Sequence, residues 1–206
     1  MSVVARGLGA AVVGVAAAAV WWRRHPSACP YGQRFWVEAP HPLITRARLR
    51  AALAPQPGER ILEVGPGTGY YAVPVAGWLG AAGRLDLLDV QPEMLDHTLR
   101  RAREAGVAGA VVATQGDARA LPYPDATFDA AYIVCALGEI PGQNAALHEL
   151  RRVVRPSGRV VVGELAGDPH MVTTRTLRRR AARAGLRWER RLGSPLGYFA
   201  VLVPDD

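Results

Sequence analysis

An α/β domain, a mostly parallel sheet covered by helices and preceded by a hydrophobic N-terminal helix, is the fold class this sequence predicts. Three observations carry that expectation. After residue 45, short aliphatic and β-branched runs alternate with longer amphipathic ones, the pattern of strands that each return through a helix. One run, Arg60-Ile-Leu-Glu-Val, passes straight into the glycine-rich turn Gly65-Pro-Gly-Thr-Gly, as strands do where backbone must approach a nucleotide-like ligand. The chain has 206 residues, 50% of them apolar, which suits one domain with one substantial core.

Taken from the N-terminus, Val3 to Trp22 is almost wholly apolar, interrupted only by Arg6. At about 1.5 Å per residue, a helix of that length matches a bilayer's hydrocarbon thickness. Trp21 and Trp22 followed by Arg23 and Arg24 give the aromatic-then-basic boundary of a helix leaving a membrane on its cytoplasmic side. Residues 1–24 therefore read as a membrane anchor that leaves the rest of the chain in the cytoplasm. A cleaved signal peptide is the rival reading, because the charge-free stretch from Gly7 to Val20 is short and rich in small residues. Residues 25–45, with Pro26, Pro30, Pro40 and Pro42 set among Tyr31, Phe35 and Trp36, read as a linker and cap.

The domain proper is expected over 46–206. Strands are expected near Arg60–Val64, Arg84–Asp89, Ala110–Thr114, Phe128–Val134, Arg159–Glu164, Leu186–Arg191 and Tyr198–Val203. Helices are expected over Gly69–Leu79, Pro92–Ala105, Gln143–Val153 and Val172–Ala184. Pro92 suits a first helical turn, where its missing N–H costs nothing, and Gly106 and Gly185 stand where glycine stops a helix in a left-handed conformation.

Charge narrows the function less than its size suggests. The formal charge is +7, and every basic residue is an arginine. The arginines are scattered over helical faces rather than interleaved with aromatics, so no nucleic-acid partner is expected. Attraction to anionic lipid explains the charge equally well, above all for Arg175, Arg178, Arg179, Arg180, Arg183 and Arg187 in and after the last helix. A solvated face is the blander account of that run. The two cysteines, Cys29 and Cys135, lie far apart with no CxxC or histidine cluster; neither a disulfide nor a metal site is expected.

The glycine spacing is G-x-G-x-G, and Tyr70 occupies the place where a dinucleotide fingerprint needs a small residue for a pyrophosphate to lie on the helix N-terminus. A ligand without a phosphate bridge is favoured. The next strand ends at Asp89, about twenty residues past the last glycine, where a carboxylate can accept from both hydroxyls of a ribose. A third strand leads into Gln115-Gly-Asp-Ala and puts Asp117 at a strand's carboxyl end. Each acid also has a structural alternative: Glu63 could end its strand, Asp117 could cap a turn, and Asp89 could cap the helix that begins near Pro92.

These motifs, with Leu121-Pro-Tyr-Pro-Asp-Ala-Thr-Phe-Asp and Leu150-Arg-Arg-Val-Val-Arg-Pro-Ser-Gly-Arg, occur in an order that resembles the class I, S-adenosylmethionine-dependent methyltransferases, particularly small ones similar to those of ubiquinone and menaquinone biosynthesis. The resemblance covers roughly 60–203. It implies a Rossmann-like, seven-stranded sheet with an antiparallel last strand, and S-adenosyl-L-methionine as cofactor. It also implies Gly65, Gly67 and Gly69 against the methionine part, Glu63 at the strand end, Asp89 with Val90 on the ribose, and Asp117 with Ala118 near the adenine. Asp125 and Asp129 are expected only to shape the loop before the fourth strand.

Methyl transfer is an in-line displacement that positioning alone can accelerate, so a dedicated base is optional. Candidates lie after the fourth and fifth strands. Many relatives carry a histidine after the fourth strand, whereas this chain reads Cys135-Ala-Leu-Gly-Glu-Ile-Pro, making Glu139 the first candidate. Glu164 and His170 form the second, His170 because its ordinary pKa lies near neutrality. The partner is expected to be a small-molecule or lipid methyl acceptor, with membrane contact through the N-terminal helix and the oligomeric state left open. Two other functions stay in view: a non-catalytic cofactor-binding scaffold or sensor, and an NAD(P)-dependent oxidoreductase, against which Tyr70 and the absence of any Tyr-x-x-x-Lys pair weigh.

Overall fold

The computed structural model describes residues 26–38 and 41–205. The expected anchor at 1–24 lies outside the described residues; among those described, no helix is long and apolar enough to cross a membrane.

A short helix α1 (Phe35–Glu38) and helix α2 (Arg46–Leu53) precede the sheet. There follow β1 (Arg60–Val64), α3 (Ala72–Leu79), β2 (Arg84–Asp89), α4 (Pro92–Glu104), β3 (Val111–Gln115), β4 (Phe128–Val134), α5 (Gln143–Val153), β5 (Val154–Leu165), α6 (Thr174–Arg183), β6 (Leu186–Ser194) and β7 (Gly197–Pro204). The seven strands lie in the order β3-β2-β1-β4-β5-β7-β6, and β7 runs antiparallel to both its neighbours. Strand order reverses between β1 and β4, and in open α/β sheets ligands bind in the crevice above the carboxyl ends at such a point.

Burial explains why β1 reads as a continuous apolar run. Leu62 and Val64 pack under α5 and α6 on one face, while Ile61 packs under α2, α3 and α4 on the other. Both faces of a parallel sheet are covered, so alternation with polar residues disappears.

Local chemistry sets the helix ends. The Thr45 side chain accepts from the Arg48 N–H at the start of α2, and Thr173 does the same for Thr176 at the start of α6. That cap starts α6 at Thr174 rather than at the expected Val172. Gly106 and Gly185 take φ of +72° and +71° just past α4 and α6, as expected of helix stops. β5 departs more from expectation. It begins at Val154, pairs Phe128 with Val154, then loops out Arg155–Gly158 before pairing Ala130 with Arg159, so a Pro-Ser-Gly turn sits inside one strand.

Candidate active site

Above the carboxyl ends of β1, β2, β4 and β5 lies a cavity of about 820 Å³. Its floor is the glycine turn. Gly65, Gly67 and Gly69 all take left-handed φ, of +68°, +54° and +78°. A Cβ on Gly65 would meet the Ala136 Cβ at 2.7 Å, so glycine lets the turn pack against the loop after β4. Gly69 serves a different neighbour from the one expected: it does not line the cavity, and a Cβ there would meet the Thr98 Cγ2 on α4 at 2.8 Å. The Thr98 hydroxyl donates to the Gly67 carbonyl at 2.9 Å and holds the turn against that helix.

Of the acidic residues expected at the cofactor, Glu63, Asp89 and Asp117 all line the cavity, together with Val90 and Ala118. Glu63 is 2% exposed and accepts a 2.6 Å hydrogen bond from the Tyr132 hydroxyl. Burial pushes its carboxyl up to about 8; the Tyr132 bond opposes that rise and the nearby Asp89 adds to it. Burial also raises Asp89, against the pull of N–H donors from Gln91, Val90 and Gly67. The Asp89 Oδ1–Gln91 N bond, at 2.9 Å, leaves the second oxygen free of side-chain partners among the described residues. The same carboxyl thus orders the entry to α4 and faces the cavity. Asp117 closes a turn by accepting from the Arg119 N–H at 2.8 Å and pairs with that guanidinium at 2.6 Å, which lowers its pKa.

Arg119 is the one arginine lining the cavity among the described residues, and Asp117 engages it. Glu63 and Asp89 therefore face the space with no cation to balance them. A cationic ligand there would stabilise both in their ionised forms.

The other end of the cavity is walled by the loops after β4 and β5. Glu139 lines it and accepts from the Cys29 N–H at 3.0 Å; burial pushes it up to about 7, opposed by that bond, with Asp168 and Asp89 adding to the rise. His170 lines the same end, and its N–H donates to the Asp168 carboxylate at 2.7 Å. Gly138 lies under the His170 carbonyl: a Cβ there would sit 1.9 Å from that oxygen. Glu164, grouped with His170 from sequence, does not line the cavity. It is 0% exposed, accepts from the Val172 N–H at 3.0 Å, and burial holds it well above the ordinary carboxylate range. Its place is in the wall, tying the loop after β5 to α6.

Sequence reasoning missed three contributors. Asp168 lines the cavity, raised by burial. His41 lines it from the segment before α2. The backbone of Cys29 bridges both ends: its N–H meets Glu139, and its carbonyl accepts from the Gln91 side chain at 3.0 Å. The proline and aromatic content of 25–45 signalled a cap, but nothing in its spacing indicated which residues face inward.

Comparison with known proteins agrees with this architecture. Residues 61–158 match the model of a methyltransferase domain. The ubiquinone/menaquinone biosynthesis C-methyltransferase UbiE of Cellvibrio japonicus is 35% identical over 113 residues, which cover 55% of this chain and 45% of that protein. The protein of the same name from Shewanella pealeana is 30% identical over 132 residues, covering 64% and 52%. The chain thus spans about half the length of the curated relatives it matches. Among solved structures, a SAM dependent methyltransferase from Aquifex aeolicus superposes with a TM-score of 0.75 at 20% identity, covering 85% of this chain and 100% of that one. The [4+2]-cyclase SpnF superposes at 0.67 with 22% identity, covering 78% and 81%; at such identities the likeness concerns the fold.

Proposed function

We propose that this chain, which carries a class I, S-adenosylmethionine-dependent methyltransferase domain similar to the ubiquinone/menaquinone enzymes, transfers a methyl group to a small lipophilic acceptor held between Glu139 and the segment before α2. The observation that carries this reading is the charge of the cavity: Glu63 and Asp89 face it with no available arginine. That arrangement suits a nucleoside bearing positive charge.

S-adenosylmethionine, when bound, would supply an electrophilic methyl group to the acceptor's electron pair, with the carbon–sulfur pair left on sulfur. Gly65 and Gly67 would allow the backbone to approach the methionine part, Asp89 would accept from the ribose hydroxyls, and Asp117 with Ala118 would border the adenine. Glu63 lies beside Asp89 and opposes the cofactor's positive charge. Glu139 takes the acceptor's proton: a carboxyl poised near 7 is a competent base at neutral pH. His170 and Asp168 shape the same end, and Glu164 supports it from behind.

The acceptor is a phenolic or quinol ring, in keeping with the names of the relatives. Membrane contact is the second part of the proposal. Arg175, Arg178, Arg179 and Arg183 are exposed on α6 around buried Leu177 and Ala181, and each arginine near an anionic surface adds about 1 kcal/mol of attraction. The apolar run of residues 3–22 would hold the catalytic domain at a cytoplasmic membrane face beside a lipophilic substrate.

Calorimetric titration of the full chain with S-adenosylmethionine and with NADH, using Asp89→Ala as the control, tests the core of the proposal. Micromolar binding of the methyl donor alone, lost in the variant, is expected. Binding of NADH alone, or of neither, refutes it; methyl-donor binding with no turnover of any quinol would favour the scaffold reading.

A further inference from the structure

His41 precedes α2, outside the span that matches methyltransferase domains, yet it lines the same cavity. Its ring meets Tyr70 edge-on at 5.3 Å between centroids and stacks over Tyr71 at 6.5 Å and 24°. Tyr71 fixes which end of the cavity this is, because its ring contacts Phe199 of β7 at 6.3 Å. In the sheet order, β7 lies on the β4 and β5 side of β1, away from β2 and β3, whose ends carry the nucleoside-facing Asp89 and Asp117. His41 therefore belongs to the acceptor end, with Glu139.

The two ring nitrogens differ in surroundings. Nδ1 is enclosed and has no hydrogen-bond partner among the described residues. The hydroxyl of Tyr71, whose ring stacks over the imidazole, donates to the Ile44 carbonyl instead. Arg46 is held at Tyr70, its guanidinium 4.2 Å from the ring centroid and bonded to the Tyr70 carbonyl. A charged imidazolium would enclose an N–H with nothing to receive it, and burial lowers the His41 pKa accordingly. Between the neutral tautomers, an orphaned enclosed N–H is the rarer arrangement, so the proton belongs on Nε2. The ring's donor is then a neutral Nε2–H, on a side chain that lines the same cavity as the Glu139 carboxyl.

We propose that His41 binds the acceptor by donating its Nε2–H to a ring oxygen, so that the oxygen's developing negative charge is met by this hydrogen bond as Glu139 takes the proton. This rests on the methyl-transfer reading above and adds to it a specificity residue drawn from the cap. A ring oxygen with such a donor ionises more readily, which makes the ring a better nucleophile without placing a cation in an acidic cavity.

The test uses the full chain saturated with S-adenosylhomocysteine and the chromophore 4-nitro-1-naphthol, whose ionisation is read from its absorbance. The bound naphthol should ionise about tenfold more readily in the native chain than in His41→Leu, the size of one charge-assisted hydrogen bond. His41→Gln, which keeps an N–H donor, should stay near the native value. Equal ionisation in native and His41→Leu complexes overturns the proposal, as does failure of the naphthol to bind while S-adenosylhomocysteine still binds. Loss of S-adenosylhomocysteine binding by the native chain would instead overturn the methyl-transfer reading itself. Long-range nitrogen–proton NMR of the His41 ring in the native chain gives an independent check: a protonated Nδ1 would contradict the tautomer on which the inference stands.

Discussion

Replacing Glu63 by glutamine should stabilise the ligand-free protein at alkaline pH while weakening cofactor binding. In the folded chain the carboxyl titrates at about 8, against an ordinary 4.5. Between those values the folded state holds a proton that the unfolded chain has released. Unfolding therefore becomes easier as pH rises through that window, and the penalty is absent below 4.5. At about 1.36 kcal/mol per pH unit, the gap sets a ceiling of about 5 kcal/mol. Relaxation and water entry around a buried carboxylate reduce it, and about 2 kcal/mol is a reasonable expectation.

Glutamine keeps an oxygen to accept the Tyr132 hydroxyl, so the comparison isolates the ionisation. Thermal melts of native and Glu63→Gln protein should coincide near pH 4.5 and separate by about 5 °C or more at pH 8.5, the variant melting higher. Other raised carboxyls, such as Glu139, cancel in the difference. A melting difference that stays flat from pH 4.5 to 8.5 would refute the argument that Glu63 is held protonated. The same variant should bind S-adenosylmethionine at least tenfold more weakly, because it can no longer present a negative charge to the ligand.

Four further outcomes follow from the same geometry. Calorimetry in buffers of different ionisation enthalpy should show proton release when S-adenosylmethionine binds at pH 7, since a cation beside Glu63 and Asp89 draws down carboxyls that burial has raised; zero net proton exchange would contradict this. Asp89→Ala should weaken that binding by two orders of magnitude, about 3 kcal/mol for a charge-assisted contact, and should also loosen α4, where the Gln91 N–H loses its acceptor. Gly69→Ala should lower stability to urea by about 2 kcal/mol through a left-handed alanine and the Thr98 clash, and an unchanged midpoint would show that α4 yields at little cost. Glu139→Gln should lower kcat on a quinol by about 10²-fold or more and remove a rise in activity with pH through about 7, the sign expected of a base that must be ionised.

The parts of the site that were legible in the sequence are those whose chemistry is local. A buried strand ending in Gly65-Pro-Gly-Thr-Gly has few structural options, and Asp89 and Asp117 follow from the ends of the next two strands. Even there, spacing locates a residue without giving the direction of its side chain. Gly69 completes the glycine motif but answers to Thr98 of α4, and Glu164 ends a strand beside the cavity yet turns into the wall, where it meets Val172. Loops carry no periodicity from which to tell inward from outward, which is why Asp168 passed unnoticed between Gly167 and Pro169.

Cys29 and His41 were illegible for a stronger reason: their partners are remote in sequence. Cys29 meets Glu139 across 110 positions and Gln91 across 62, and both bonds use its backbone, so the side chain's identity carries no trace of them. This connection also bears on how the domain works. Gln91 lies two positions past Asp89, the proposed ribose contact, and Glu139 is the proposed base, so one residue of the segment before α2 bonds to both the proposed cofactor end and the proposed acceptor end. Removing the Cys29 N–H would free Glu139 from one of the forces that lower its pKa, raising the proposed base above about 7. Under the proposed function, the segment before α2 therefore helps to set the protonation of the base through the Cys29 backbone.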